Sequence, residues 1–287
     1  MSVQKFSIRV ASFEDVELAA KWAEDEGWNP GLHDAQLYYQ VDTSGFYIGY
    51  LDDEPIASIS VVKYDNGFGF LGFYIVKPEY RGQGYGYQLW QKALTHLDGC
   101  NIGLDGVVDQ QDNYKKSGFK LAHRNIRFVR KGGVIESMKQ ADAHYVKSLS
   151  SFEFNDVEKY CVAFFPADRH AFLKGWVTQD NSLALGYAES GALKGVGVIR
   201  QCESGYKIGP LFADSGNIAR ALYLMLSDHV SENDDIFLDV PQVNDEAVKL
   251  AEQFAMTQCF ETARMYTQTE PDIQLQKTFG ITSFEIG

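Results

Sequence analysis

The sequence has no long apolar run, and its cysteines are few and scattered. No stretch approaches the roughly 18 consecutive apolar residues that a membrane-spanning helix needs. Residues 1–10 alternate as a strand does and do not resemble a signal peptide, so we expect a cytoplasmic protein without a membrane partner. The four cysteines form no Cys-x-x-Cys pair, and no histidine stands at zinc-ligand spacing. We therefore expect reduced thiols and no metal site.

Positive charge is also in short supply. Lysine and arginine number 26 against 39 aspartates and glutamates, which gives a net charge of -13. Nucleic-acid binding needs a positive surface, so we expect no nucleic-acid partner. An acidic surface suits a cationic amine substrate, although such a surface more often serves solubility alone.

The length of 287 residues predicts two domains, since a domain usually spans about 100 to 200 residues. In the first half, strands are predicted around residues 6–10, 46–51, 56–64, 68–76, 101–104 and 120–130. Helices are predicted after Ser12, through residues 37–39, after residue 86 and over 109–117. A linker at residues 131–133 places the boundary between domains 1–131 and 134–287.

The second half repeats the order of elements of the first. Gly45–Tyr50 aligns with Ser182–Tyr187, and Gly103–Asp105 aligns with Phe237–Asp239 at nearly the same offset. The segments between these anchors keep their order and spacing. The alternative is a chance similarity between two sheet patterns, but the sequence favours a duplicated fold.

Residues 81–86, Arg-Gly-Gln-Gly-Tyr-Gly, lie where a strand gives way to a helix. Glycines leave the backbone N–H groups open at the positive end of the helix, which predicts an anion site suited to a pyrophosphate, with Arg81 as an added cation. A dinucleotide fingerprint would need glycine at Tyr87, and a P-loop would need Gly-Lys-Ser/Thr. Neither is present, although a tight glycine turn without a ligand is the alternative.

Together with Val76–Tyr80, this loop resembles the Arg/Gln-x-x-Gly-x-Gly/Ala motif of the GNAT superfamily of N-acetyltransferases. The resemblance extends over the first 130 residues in element order. Residues 28–31 and the ending 279–287 are similar to a subgroup with a second GNAT-like domain. The resemblance implies an α/β (α+β) fold of two tandem GNAT-like domains, each a mixed, mostly antiparallel sheet flanked by helices.

The resemblance also implies acetyl-CoA (coenzyme A) as cofactor and assigns the residues that bind it. The backbone of Tyr74, Ile75 and Val76 would pair with the pantetheine arm. The remaining cofactor-binding candidates are Arg81, Gly82, Gln83, Gly84, Tyr85 and Gly86. Tyr114, in Tyr-Lys-Lys-Ser-Gly-Phe, matches the family's general acid, which protonates the leaving thiolate. Val107 and Gln110 depart from the family's Asn and Ala, which puts one side-chain contact to pantetheine in doubt.

The second copy lacks these groups. Asp214 replaces Arg81, Asn217 replaces Gly84, and Ala251 stands where the tyrosine should be, so we expect no catalysis there. This half is expected to close the acceptor site, or else to give structural support only. Candidate substrate residues are Trp28, Asn29, Asp34 and Asp105. An isolated histidine on a strand, such as His123, is more often structural than a catalytic base. The sequence identifies no general base.

The sequence thus predicts an enzyme that moves an acetyl group from acetyl-CoA directly to a primary amine on a small molecule or peptide. Two alternatives stay open. In the first, the protein is a non-catalytic module that binds or senses acyl-CoA. In the second, it is an enzyme that transfers a longer acyl group. Fold similarity does not identify the acceptor.

Overall fold

The computed structural model describes residues 5–133 and 143–287. The first half contains strands β1 (Phe6–Val10), β2 (Phe46–Leu51), β3 (Glu54–Tyr64), β4 (Phe68–Val76), β5 (Asn101–Val107) and β6 (Lys120–Lys131). Its helices are α1 (Phe13–Asp25), α2 (Asp34–Val41), α3 (Tyr85–Leu94) and α4 (Gln111–Lys116). A capping box begins α1, where the Ser12 hydroxyl accepts from the Asp15 N–H and the Asp15 carboxylate accepts from the Ser12 N–H.

The second half contains strands β7 (Val146–Ser148), β8 (Ser182–Glu189), β9 (Ala192–Gln201), β10 (Tyr206–Ala213), β11 (Asp235–Pro241), β12 (Thr257–Tyr266) and β13 (Thr278–Gly280). Its helices are α5 (Phe154–Cys161), α6 (His170–Trp176), α7 (Gly216–Ser227) and α8 (Asp245–Gln253). The Asn244 side chain caps α8 by accepting from the N–H groups of Glu246 and Ala247. Among the described residues, no helix is both long and apolar enough to cross a membrane.

All the strands belong to one mixed sheet. Their order is β1-β2-β3-β4-β5-β12-β6-β11-β10-β9-β8-β7, with β13 paired to β10. The β4–β5 and β10–β11 pairs are parallel and occupy equivalent places in the two halves, while the other pairs are antiparallel. The predicted fold class of two tandem copies is therefore confirmed.

The two halves exchange their long final strands. Strand β12 of the second half lies between β5 and β6, and β6 of the first half pairs with β11. A division after Lys131 therefore separates two sequence repeats but not two separate sheets. The exchange also carries residues of the second half to the β5 edge of the first.

Three buried arginine–aspartate pairs join the halves. Arg127 Nε and Nη2 lie 2.6 and 2.8 Å from the two carboxylate oxygens of Asp239. The Arg200–Asp34 pair has distances of 2.8 and 3.0 Å, and the Arg264–Asp105 pair has distances of 2.9 and 2.5 Å. Each pair takes one residue from each half. Removing one partner of such a pair leaves a buried charge uncompensated, which costs about 3–5 kcal/mol.

Candidate active site

The central feature of the site is a gap between β4 and β5. Residues 68–71 of β4 pair with residues 101–104 of β5, and the pairing stops there. Phe73 has a positive φ of 45°, and the β3–β4 register shifts at the same level. Ser58 Oγ donates to the Phe73 carbonyl at 2.8 Å and so helps to fix this irregular backbone. Beyond Leu71, the β5-facing edge of β4 has no strand partner within the described residues.

The glycine loop lies at the far end of β4, before α3. Gly82 and Gly84 have φ values of +73° and +85°, which side-chain-bearing residues rarely adopt. A Cβ on either glycine would meet no heavy atom within 4 Å, so the backbone there faces open space. Gly84 caps α3 without a side-chain hydrogen bond, and the first N–H groups of that helix lack intrahelical acceptors. This arrangement fits a pyrophosphate group.

Arg81 differs in part from the sequence expectation. Its Nε donates to the Val76 carbonyl at 2.8 Å, and its Nη2 pairs with the carboxylate of Glu26. The guanidinium therefore ties the loop to the end of β4 and to α1. Its charge is shared with Glu26, so the backbone of the loop is the more direct anion ligand.

Tyr114 is positioned by packing. Its ring stacks on Trp90 at a centroid distance of 5.7 Å, and Phe119 meets it edge-on. A Cβ on Gly106 would lie 2.2 Å from the Tyr114 ring, so glycine at that position of β5 makes room for it. Burial raises the pKa of the Tyr114 phenol, and nearby Tyr74 adds to the effect. Within the described part of the chain, no residue hydrogen-bonds its hydroxyl.

A cavity of about 670 Å³ connects these features. Most of the residues predicted from the sequence line it. They are Trp28, Tyr74, Ile75, Val76, Arg81, Gly82, Gly84, Gly86, Asp105 and Tyr114. The structure therefore brings together the loop, the free edge of β4 and the candidate acid. Asp105 is also paired with Arg264 and accepts from Asn125, and burial raises its pKa despite these partners.

Four predicted residues lie outside the cavity wall. Gln83 donates to the Glu79 carbonyl, and the Tyr85 ring packs on Phe6. Asn29 donates to the Ser204 carbonyl and accepts from the Ser204 N–H. Asp34 is fully buried against Arg200. Burial alone would raise the pKa of Asp34, but Arg200 and the Gly31 N–H outweigh it and lower that pKa. Asn29 and Asp34 thus connect the halves.

Among the further cavity-lining residues that the sequence did not predict, four come from the second half and one from the end of α1. They are Phe260 and Thr262 on β12, Phe284 and Glu285 near the end of the chain, and Glu26 at the end of α1. The strand exchange brings the first two there. The ending 279–287 matched the subgroup in the sequence, but nothing in that match gave a role to one of its residues.

His123 lies on β6, outside the cavity wall. Burial lowers its pKa to about 3, and the Arg264 charge contributes. Such an imidazole stays neutral and is a poor proton acceptor at neutral pH. This agrees with the structural interpretation of this histidine.

The equivalent gap in the second half is filled by the chain itself. Strand β10 leaves β11 after Ile208, and β13 pairs with β10 at Leu211 and Phe212. Asp214 forms ion pairs with Lys194 and Lys277, and Ala251 is buried. The strand edge that is free in the first half thus has a partner in the second, which supports the expectation of a single site.

Comparisons with known proteins identify the class. The model of the acetyltransferase (GNAT) family matches residues 13–119, and that of an acetyltransferase (GNAT) domain matches residues 157–280. A curated relative, the holothin acyltransferase of Pseudoalteromonas sp. (strain SANK 73390), is 32% identical over 285 residues, covering 99% of this chain and 95% of that protein. The chain belongs to the GNAT family and is a tandem acyltransferase. Its family binds acyl-CoA.

Solved structures agree on the fold. A structure from Pyrococcus horikoshii assigned as an acetyltransferase has a TM-score of 0.83 at 22% identity, covering 100% of this chain and 98% of that one. A tandem GNAT protein from the clavulanic acid biosynthesis pathway has a TM-score of 0.63 at 10% identity, with coverages of 93% and 99%. At these identities the likeness concerns the fold alone.

Proposed function

We propose that the protein is an N-acetyltransferase that moves the acetyl group of acetyl-CoA directly to a primary amine of a small molecule or peptide. The supporting observation is that one cavity contains the glycine loop, the free edge of β4 and Tyr114. An acyl-CoA supplies an activated thioester when bound. The other elements of the reaction come from the chain.

The donor would be held mainly by backbone groups. The backbone groups of Tyr74 to Val76 that do not pair with β3 would bind an extended pantetheine arm along the free β4 edge, except the Val76 carbonyl, which already accepts from Arg81 Nε. The loop N–H groups would bind the pyrophosphate. N–H groups of the same β4 segment would stabilise the negative charge that develops on the thioester oxygen. These contacts need no contribution from Val107 or Gln110, the two positions that depart from the family pattern.

Tyr114 would act as the general acid. A phenol is protonated at neutral pH, and burial raises the pKa of Tyr114 further. That proton is available to the sulfur as the C–S bond breaks, so coenzyme A leaves as a thiol. The stack on Trp90 fixes the Tyr114 ring, so the hydroxyl needs little movement to reach the position for proton transfer.

The acceptor would enter beside the residues of the second half. Phe260 and Phe284 give this part of the wall an apolar character, and Trp28 of the first half belongs to the same wall. The curated relative discussed above is named holothin acyltransferase. Holothin is therefore the first acceptor to try with this protein.

The proposal is tested by thiol release. Purified protein is given acetyl-CoA with holothin, spermidine, lysine, kanamycin or a lysine-containing peptide, and coenzyme A is measured with a thiol reagent. We expect release above the amine-free background with at least one amine, and acetylation of that amine by mass spectrometry. Binding of acetyl-CoA by calorimetry without release for any amine would favour the binding module. Faster release of coenzyme A from a longer acyl-CoA than from acetyl-CoA would show that the protein transfers a longer acyl group.

A further inference from the structure

Glu285 is a buried carboxylate on the wall of the catalytic cavity, and the reaction as described so far gives it no role. It is 2% exposed and comes from the segment that follows β13. Its main chain lies against Gly72, where β4 leaves β5. The Ser283 hydroxyl accepts from the N–H groups of Glu285 and Ile286, which fixes the turn.

The two oxygens of this carboxylate have different surroundings. Oε2 accepts a hydrogen bond from the Tyr38 hydroxyl at 3.1 Å. Oε1 is buried and has no hydrogen-bond partner among the described residues. A buried carboxylate oxygen without a donor is unfavourable, and it calls for an explanation such as a catalytic role or a bound water or ion. A protonated amine in the cavity, or one water between them, would supply the missing donor.

Tyr38 allows Glu285 to exist in two hydrogen-bonded states. Its hydroxyl also lies 3.1 Å from Asp34 Oδ2. When Glu285 is ionised, the Tyr38 hydroxyl can donate its proton to Glu285. When Glu285 carries a proton on Oε2, it donates to the Tyr38 oxygen, and the Tyr38 proton turns to Asp34. The Asp34 carboxylate is already paired with Arg200, so it stays an acceptor throughout.

On balance, the surroundings of Glu285 raise its pKa. Burial raises the pKa of Glu285, while the cations around it act in the opposite direction. The charged and titratable groups that face it from the packed elements are Asp34 and Tyr38 of α2, Arg127 of β6, Arg200 of β9 and Lys207 of β10. Three of these groups are cations, and Asp34 is the carboxylate among them, so the ionised form of Glu285 has net positive charge nearby.

We propose that Glu285 is the general base that removes a proton from the acceptor's ammonium group, so that the second half of the chain supplies a catalytic residue to the first. This rests on the proposed transferase function. It assigns the acceptor class as amines that arrive protonated. The step places a proton on Glu285 directly or through one water.

The atoms balance as follows. The ammonium gives one proton to Glu285, and its nitrogen lone pair forms the C–N bond to the acyl carbon. The C–S bond breaks, and the sulfur leaves with its electron pair and takes the Tyr114 proton. The second proton lost from nitrogen returns to Tyr114 through solvent, and Glu285 releases its proton to water. The products are an amide, coenzyme A and one proton.

The test compares Glu285→Gln with the unsubstituted protein. Glutamine keeps the size of the side chain and an acceptor for Tyr38, but it cannot take the proton. With the panel amine that gives the highest kcat/KM, we expect about a hundredfold loss of kcat/KM at pH 7 and loss of the acidic limb of its pH profile. Acetyl-CoA affinity by calorimetry should be unchanged. Glu252→Gln, on the exposed face of α8, is the control and should behave as the unsubstituted protein.

Tyr38→Phe provides a second, milder variant in case Glu285→Gln does not fold. It removes the hydrogen bond that favours the ionised carboxylate, so the acidic limb should move to higher pH while acetyl-CoA binding stays the same. Full activity of folded Glu285→Gln, or an unmoved limb in Tyr38→Phe, would overturn the role of Glu285. Absence of turnover by the unsubstituted protein with every amine would instead contradict the transferase function and, with it, this role.

Discussion

The carbonyl oxygen of Glu285 lies only 2.1 Å from the point that a Cβ on Gly72 would occupy. The end of the chain therefore packs directly on the backbone of β4 at the level where the cavity opens. A side chain at position 72 and the present position of the Glu285 backbone exclude each other. Glycine at this position thus couples the wall of the donor site to a segment of the other half.

Replacing Gly72 with alanine should displace this segment. We expect a loss of about 1–3 kcal/mol in the free energy of unfolding, as for other overpacked interiors. Because Glu285 moves with the segment, kcat/KM should also fall. Urea denaturation and the thiol-release assay measure the two effects. Gly216→Ala is the control, since its Cβ would meet only the end of the flexible Glu246 side chain, at 3.0 Å. Equal behaviour of the two variants would argue against the coupling.

Tyr114→Phe should separate proton donation from packing. The ring keeps its stack on Trp90, so the melting temperature and the acetyl-CoA affinity should change little. Without the hydroxyl, kcat should fall by about a hundredfold or more. The matched control is Tyr39→Phe, because the Tyr39 ring packs on Phe13 and Phe46. Unchanged turnover in folded Tyr114→Phe would remove Tyr114 from the mechanism.

Gly84→Ala should weaken cofactor binding through the backbone. A left-handed conformation costs a residue with a side chain roughly 1–2 kcal/mol, so the loop should relax away from its present shape. We expect weaker acetyl-CoA binding by calorimetry. Gly99→Ala is a close control, because Gly99 also has a positive φ and open space around its Cβ but does not line the cavity. The control should lose similar stability and keep its affinity.

Asp34→Asn should destabilise the fold in a pH-dependent way. It leaves Arg200 buried without its carboxylate, which costs about 3–5 kcal/mol at neutral pH. Since the pKa of Asp34 is lowered in the folded state, the stability it contributes is complete above its ordinary value of 3.8 and is lost as the pH falls through the folded value. The stability difference between the two proteins should therefore be constant near neutrality and narrow in acid.

The control for this prediction is Asp112→Asn. Asp112 pairs with Lys115 at 3.0 Å, but both side chains are exposed. Exposed pairs contribute about 0–1 kcal/mol, so this variant should unfold nearly as the unsubstituted protein does. Denaturant titrations at several pH values compare the two. If Asp34→Asn changed the free energy of unfolding only slightly, and equally at every pH, the Asp34–Arg200 pair would not be needed for stability.

Local patterns in the sequence predicted much of the first half. Apolar segments bounded by turn signals located β2 and β4 with the bounds seen in the structure, and Ser12 marks the start of α1 as expected. The glycine loop and Tyr114 could be predicted as site residues because their neighbours in sequence carry the motif. The repeat was visible because the order of strands persists.

The remaining features depend on contacts between distant residues. The exchange of β6 and β12 cannot be read from their apolar pattern. Each strand would bury the same face whether its neighbour in the sheet came from its own half or from the other. Asp34 shows no sequence sign that its partner is Arg200, 166 residues away. Glu285 was missed for the same reason, because its neighbours Gly72 and Tyr38 are brought to it only by the folded chain.

The exchange of β6 and β12 also bears on how the molecule comes apart under heat. Residues 1–131 alone would leave β5 without β12, and β6 would have lost both of its neighbours in the sheet. We therefore expect that neither repeat folds stably on its own. A calorimetric scan should accordingly show one cooperative melting transition for the two repeats, and separately expressed repeats should recover structure only when they are mixed.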